Sequence, residues 1–198
     1  LTLLAWQFAR SQVEAQVHQR FERQAARTVE LIRERMGKYE EAPWGGVAMM
    51  HAADGSVDAA HWKSFADVLD IESRFPGING IGVIYRVRPA ELDAFLARER
   101  ATRPDFEIHP KHANAEFWPI SYVEPVATNA QAIGLDMAHE ENRFTASKKA
   151  MLSGSAQMTA PITLVQDAAR TPGFLLFAPY YRGGDPGTPE EREARFVG

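Results

Sequence analysis

The sequence predicts an α+β fold in which one long N-terminal helix leads into a domain built on a mainly antiparallel sheet. Three observations predict it. Apolar residues recur every three or four positions through residues 11–39 (Val13, Val17, Phe21, Ala25, Val29, Ile32, Met36), with no Pro or Gly before Gly37. Beyond that stretch come short runs rich in β-branched and aromatic residues, bounded by Gly, Pro, Asn or Asp. Between these runs the apolar spacing is helical, the order expected of helices packed on an antiparallel sheet.

The 198 residues suffice for one large domain or two small ones. A formal net charge of −4 and a pI near 5.9, with basic residues dispersed among acids, argue against nucleic acid as a partner. The absence of cysteine removes disulfides, thiolate metal sites and a cysteine nucleophile together. No apolar run reaches the ~18 residues needed to span a bilayer. Residues 1–9 are nonetheless apolar and carry Trp6. They read either as the exit end of a membrane-spanning helix at the headgroup level or as the buried first turns of a helix.

With those residues the first helix runs on the order of 55 Å at the usual rise per residue, whereas globular helices average about 11–12 residues. Its narrow stripe suits a partner helix as well as a domain surface. The segment is therefore a dimerising stalk or a long scaffold helix. Pro43-Trp-Gly-Gly46 is expected to end it. Residues 47–51 and 61–69 follow as short helices, the second through Trp62, Phe65, Val68 and Leu69. Strands are placed at residues 80–87, 106–109, 118–123, 158–164 and 174–180. Helices are placed at 91–102, with Pro89 at its start, and at 139–152. Thr188-Pro-Glu-Glu191 carries helix-start signals: Thr as N-cap, Pro in the first turn and Glu191 completing a capping box. The sequence stops soon after, at Gly198, so more protein is expected to follow.

The candidate chemistry gathers in residues 132–181. Asp136 sits between Ile133-Gly-Leu135 and Met137, a carboxylate in apolar surroundings. Such a group either caps the helix that follows or receives a ligand donor, and it has room for both. Helical spacing could let Asp136 and Glu140 share a cation, but acids at a helix start also serve the macrodipole unaided. His109 and His112 lie in a Pro-bounded loop without a carboxylate motif, and no metal site is expected. Met158 and Thr159 precede Pro161, which suits an edge strand or a bulge. There is no Gly-x-Ser-x-Gly elbow, P-loop or Gly-x-Gly-x-x-Gly, so neither catalysis nor a cofactor is expected of this segment.

One ordered set of motifs resembles a known family. Phe75-Pro-Gly-Ile-Asn-Gly-Ile-Gly-Val83, Phe106-Glu-Ile108, Leu135-Asp-Met137, Met158-Thr-Ala-Pro-Ile162, Leu164-Val-Gln166 and Phe177-Ala-Pro-Tyr-Tyr181 resemble the CHASE domain. This is the extracytoplasmic sensor of many bacterial diguanylate cyclases and histidine kinases and of the plant cytokinin receptor kinases. The resemblance implies a stalk helix over residues 1–40 and a membrane-distal PAS-like sensor subdomain over 41–182. Residues 183–198 would begin a membrane-proximal PAS-like subdomain. It also implies a homodimer through the stalk, flanking transmembrane helices and a periplasmic location. Asp136 matches the aspartate that receives hydrogen bonds from the purine in cytokinin receptors, and Leu135 precedes it. Met158 matches the residue that makes backbone contacts just before Thr159. Tyr122, Leu175, Phe177 and Tyr181 fall on strands that line the cavity. The chain departs from the plant pattern around residues 163–172, and it carries Phe and Tyr where those receptors have smaller residues in the last strand.

Together these readings lead to a small-molecule sensing domain of a transmembrane receptor, with an adenine or cytokinin-like ligand as the candidate. Two alternatives stay open. One is an interaction module whose pocket is filled by its own aromatics. The other is a hydrolase-like domain, which would require His139 or Glu140 within bonding reach of Asp136.

Overall fold

The computed structural model describes residues 2–165 and 171–198. The chain divides into two compact units, Leu1–Tyr39 and Glu40–Gly198. In order, the elements are α1 (Thr2–Ala52), α2 (Ala59–Leu69), α3 (Ile71–Arg74), β1 (Ile81–Ile84), α4 (Leu92–Thr102), β2 (Ile120–Glu124), α5 (Val126–Asn129), α6 (Glu141–Ser153), β3 (Gln157–Met158), β4 (Ile162–Thr163), β5 (Pro172–Gly173), β6 (Leu176–Phe177) and α7 (Pro189–Arg195). Short 3-10 turns occupy Pro89–Glu91, Ala130–Ala132 and Met137–His139. This is an α+β chain with small antiparallel sheets.

In the first unit the apolar stripe is exposed: Val13, Val17, Phe21, Val29 and Ile32 all face solvent, Phe21 by 67 %. Arg10 and Glu14 pair at 2.7 Å one turn apart, as the polar faces of an isolated helix allow. Leu3, Trp6 and Phe8 are exposed as well. Among the described residues no helix is long and apolar enough to cross a membrane.

Pro43 does not end α1, contrary to expectation. A proline inside a helix costs about 3 kcal/mol or more, so packing must offset it. Ala42 and Met50 are buried. A Cβ on Gly46 would lie 2.9 Å from Trp62 Cη2, so the two glycines let α2 seat its Trp62 and Phe65 against the backbone of α1. Here Pro-Trp-Gly-Gly marks a close helix contact instead of a turn.

The expected single sheet is three two-stranded pairs among the described residues: β1–β2, β3–β6 and β4–β5, all antiparallel. Pro161, which cannot donate to a ladder, separates β3 from β4 where one strand was expected. Residues 106–109 form no strand; His109 alone makes a parallel bridge to Leu135. The helix expected from His139 begins at Glu141, because Glu140 accepts from Asn142 N and Arg143 N at 2.9 and 3.1 Å and so sets the first turn.

One cluster of the second unit joins Met50, Val57, Trp62, Val83 and Tyr180. Another joins Trp118, Leu135, Met137, Ala138, Met151, Tyr181 and Phe196, with Ile84 and Ile120 against it. A third joins Val87, Phe95 and Phe106. The last residues pack into the same unit. Thr188 Oγ1 accepts from Glu191 N at 3.3 Å to start α7, which lies on α6, and Tyr181 pairs with Phe196.

Candidate functional site

The site is built on a local backbone requirement. Gly134 has φ +80°, and a Cβ there would fall 2.0 Å from Glu107 O, so only glycine lets residues 133–136 lie against 107–109. His109 N then donates to Gly134 O at 3.0 Å, and Asp136 N to His109 O at 2.8 Å. This delivers the Asp136 side chain into the interior, where it is fully buried.

Asp136 is the N-cap of the turn Met137–His139. Its Oδ1 accepts from Ala138 N and from Trp118 N, each at 2.8 Å. Its Oδ2 meets His112 Nε2 at 2.8 Å. His112 Nδ1 lies 3.1 Å from Asn114 N, which donates to it, so Nε2 carries the ring proton and donates to the carboxylate. One oxygen is thus held by two backbone amides. The other is held by one side chain from the irregular segment 110–116. That segment is tied down again where Asn114 Nδ2 donates to Ala138 O.

The cap expected of Asp136 is present, although it serves the 3-10 turn and α6 has Glu140 as its own cap. His139 approaches the main-chain oxygen of Asp136, at 2.5 Å from Nδ1, and not its carboxylate. Among the described residues no cluster of three or more His, Asp or Glu is placed to hold a metal ion.

Four of the expected lining residues come together. Leu135 and Tyr181 are buried in the Trp118–Met137 cluster, and Leu175 and Phe177 pack against it. The Tyr181 hydroxyl donates to Met151 O at 2.5 Å, and burial pushes its pKa up to about 12. Thr159 fastens this wall: its N–H donates to Leu175 O at 2.9 Å, and its Oγ1 accepts from Leu175 N at 3.0 Å. Two expected residues lie elsewhere. Met158 is 50 % exposed, opposite Leu176. Tyr122 packs edge-on to Tyr85 with ring centres 6.4 Å apart, beneath the Arg103 guanidinium at 5.1 Å. Gln166, part of the Leu-Val-Gln motif, and half of the divergent stretch 163–172, positions 166–170, lie outside the described residues.

Sequence reasoning missed several polar groups that the fold covers, His112, Glu99 and Arg143 among them. His112 lies in a Pro-bounded loop with no local carboxylate motif, and its partner Asp136 is 24 positions away, beyond any local pattern. Glu99 sits on α4 among charges that resemble a solvated face, yet it is buried between Arg98 and Arg103. Arg143 is buried on α6. Its Nη2 donates to Thr163 O at 2.9 Å, Nη1 is 3.5 Å from His139 Nε2, and burial lowers its pKa.

A comparison with curated proteins finds no significant match. The CHASE domain profile matches residues 55–198. That span is more than half of the chain and contains His112, Asp136 and the Leu135–Tyr181 wall. The chain therefore belongs to the CHASE domain family, the extracellular sensor domains of signalling receptors.

Proposed function

We propose that this domain is the ligand-sensing input of a transmembrane receptor of the histidine kinase or diguanylate cyclase type, in the periplasm of an inner-membrane protein. Its ligand is a small, largely apolar molecule whose polar edge is received at Asp136. The arrangement of that carboxylate carries the reading: Oδ1 is fixed by two backbone amides, whereas Oδ2 is engaged only by His112. A ligand N–H in the place of the imidazole N–H would leave every hydrogen bond of Asp136 made, so the exchange carries little desolvation penalty. An adenine-type heterocycle offers such a donor on a planar body. Ligand and His112 then compete for one acceptor, and binding shifts the population of segment 110–116.

The state of the domain would pass on through paired N-terminal helices. Val13, Val17, Phe21, Val29 and Ile32 support this, since a helix that exposes its apolar stripe gains about 1.5–3 kcal/mol for each large side chain that a partner helix fully covers. Light scattering on the purified chain should give a dimer as concentration rises, and Phe21→Glu should give a monomer. A wild-type monomer at all concentrations would sink the stalk reading.

The gathering of Leu135, Leu175, Phe177 and Tyr181 in one hydrophobic cluster favours a second reading, an interaction module that answers to a partner protein. A thermal-shift screen of adenines, other heterocycles and carboxylates separates the two. The ligand reading expects a heterocycle to raise Tm, less in Asp136→Asn and more in His112→Ala. No shift with any heterocycle would leave the interaction module.

A further inference from the structure

We propose a second binding site, for a small organic carboxylate with an apolar body, in a groove of about 340 Å³ lined by Arg86, Arg88, Asn114, Glu116, Phe144 and Lys148. Its volume lies within the range of small-molecule clefts, roughly 300–1,000 Å³. None of these residues belongs to the wall expected to receive the heterocycle.

The residues that line the groove include three cations and one carboxylate. Glu116 is its only carboxylate, and it is already held by Arg86 Nε at 2.7 Å, with both side chains mostly buried. Arg86 is further fixed by Glu193 O at 3.1 Å and Glu193 Oε1 at 3.3 Å. Arg86 with its two carboxylates, Glu116 and Glu193, is a fixed and fully paired floor. Two cations remain at the rim. The Arg88 guanidinium is only loosely paired, with Glu91 Oε1 at 3.7 Å and both side chains about half exposed, while Glu91 Oε2 accepts from Arg88 N at 3.1 Å. The Lys148 ammonium stands over the Phe144 ring, 5.0 Å from its centre, and among the described residues no carboxylate pairs with it. A pair of under-neutralised cations above a floor of fixed dipoles attracts an anion, and a carboxylate held by both gains charge-assisted hydrogen bonds.

The same groove has an apolar side. Phe144 is held edge-on against buried Trp118, ring centres 5.9 Å apart at 83°, so its ring is a fixed wall. Pro89 and Ala115 add apolar surface. Phosphate or chloride would use the cations and leave this wall idle. An aromatic or branched carboxylate uses both.

The walls also reach the Asp136 node. Asn114 donates to Ala138 O and, through its main-chain N–H, to His112 Nδ1. Arg86 leads to α7 through Glu193. An occupant of the groove therefore bears on the segment that carries His112. Holding that segment in place keeps the imidazole on Asp136, so the carboxylate opposes entry of the heterocycle.

Benzoate, its neutral counterpart benzamide, and inorganic phosphate test this by calorimetry and amide NMR on the full chain. Benzoate should bind saturably, weaken as salt rises, and shift the amides of Ala115, Glu116 and Lys148, while benzamide should not. Arg88→Gln with Lys148→Gln should weaken benzoate about tenfold or more, equivalent to at least ~1.4 kcal/mol, with Tm of the free protein unchanged because both side chains reach solvent. Asp136→Asn should leave benzoate binding in place, which separates failure here from failure of the heterocycle site. Absence of saturable benzoate binding, equal binding by phosphate, or full binding by the double variant would each overturn the proposal.

Discussion

Asp136 and Glu99 are both buried carboxylates, and the fold satisfies them in different ways. Glu99 Oε1 accepts from Arg98 Nη2 at 3.1 Å and Nε at 3.3 Å, and its Oε2 is held by Arg103. Those guanidinium groups also lie over aromatic rings, Arg98 over Phe95 at 5.0 Å and Arg103 over Phe106 at 4.7 Å. Both oxygens are thus occupied by charged groups, Arg103 mostly buried and Arg98 60 % exposed. Asp136 has no cation. It relies on two amides of the main chain and one imidazole from an irregular segment. The difference teaches where a response can begin. A carboxylate held by two arginines, one on its own helix and one at that helix's C-cap, keeps charged partners on both oxygens, whereas one that spends half its acceptor capacity on a loop side chain can trade that partner for a ligand.

The largest effect should come from removing Asp136 itself. Asp136→Ala leaves the amides of Trp118 and Ala138 buried without an acceptor, a loss of about 3–5 kcal/mol in chemical denaturation. Glu99→Ala should cost less, about 1–3 kcal/mol, because the Arg98 side chain is 60 % exposed and hydrates once freed. A greater loss for Glu99→Ala than for Asp136→Ala would reverse the ordering and point to Glu99 as the structural keystone.

His112→Ala sharpens the contrast. It should destabilise by about 2 kcal/mol, since one hydrogen bond to a charged group is lost. Amide exchange should quicken across residues 111–116 while the amides of Trp118 and Ala138 stay protected. Equal acceleration at all of them would mean that the two oxygens of Asp136 do not act separately.

The smallest effect belongs to Tyr181→Phe, about 1 kcal/mol at neutral pH for the hydroxyl bond to Met151 O. This residue adds a pH signature. Its folded pKa, near 12, exceeds the usual tyrosine value of about 10, so the unfolded chain loses the proton first. The stabilisation is complete below pH 10 and is lost as pH rises toward 12. Tyr181→Phe should flatten the fall in stability over that window, and an unchanged slope would place the titration on Tyr85 or Tyr122, which burial also raises.

Much of the site was legible because it is local. Asp136 announces a cap within a few positions, and the helix after it was expected two positions before its observed start. The long first helix was legible from its period, and its exposed stripe follows from the same period. The rest depends on residues that meet from far along the chain. Pro43 reads as a break until Trp62 closes on Gly46. The strand at 158–164 reads as one until its partners prove to be two separate short segments, β6 and β5. Arg143 and Glu99 read as surface charges until the core closes over them.

What the sequence determined by itself was the fold class, the long helix, the capping carboxylate and, through an ordered set of motifs, the family. Helix period and capping are set by hydrogen bonds and side-chain spacing within three or four residues, and these are written directly in the chain. Only the tertiary structure decided which partner Asp136 keeps, where the proline is tolerated and which cations border a common groove. Those outcomes turn on packing and desolvation between segments distant in sequence, and local patterns do not encode them.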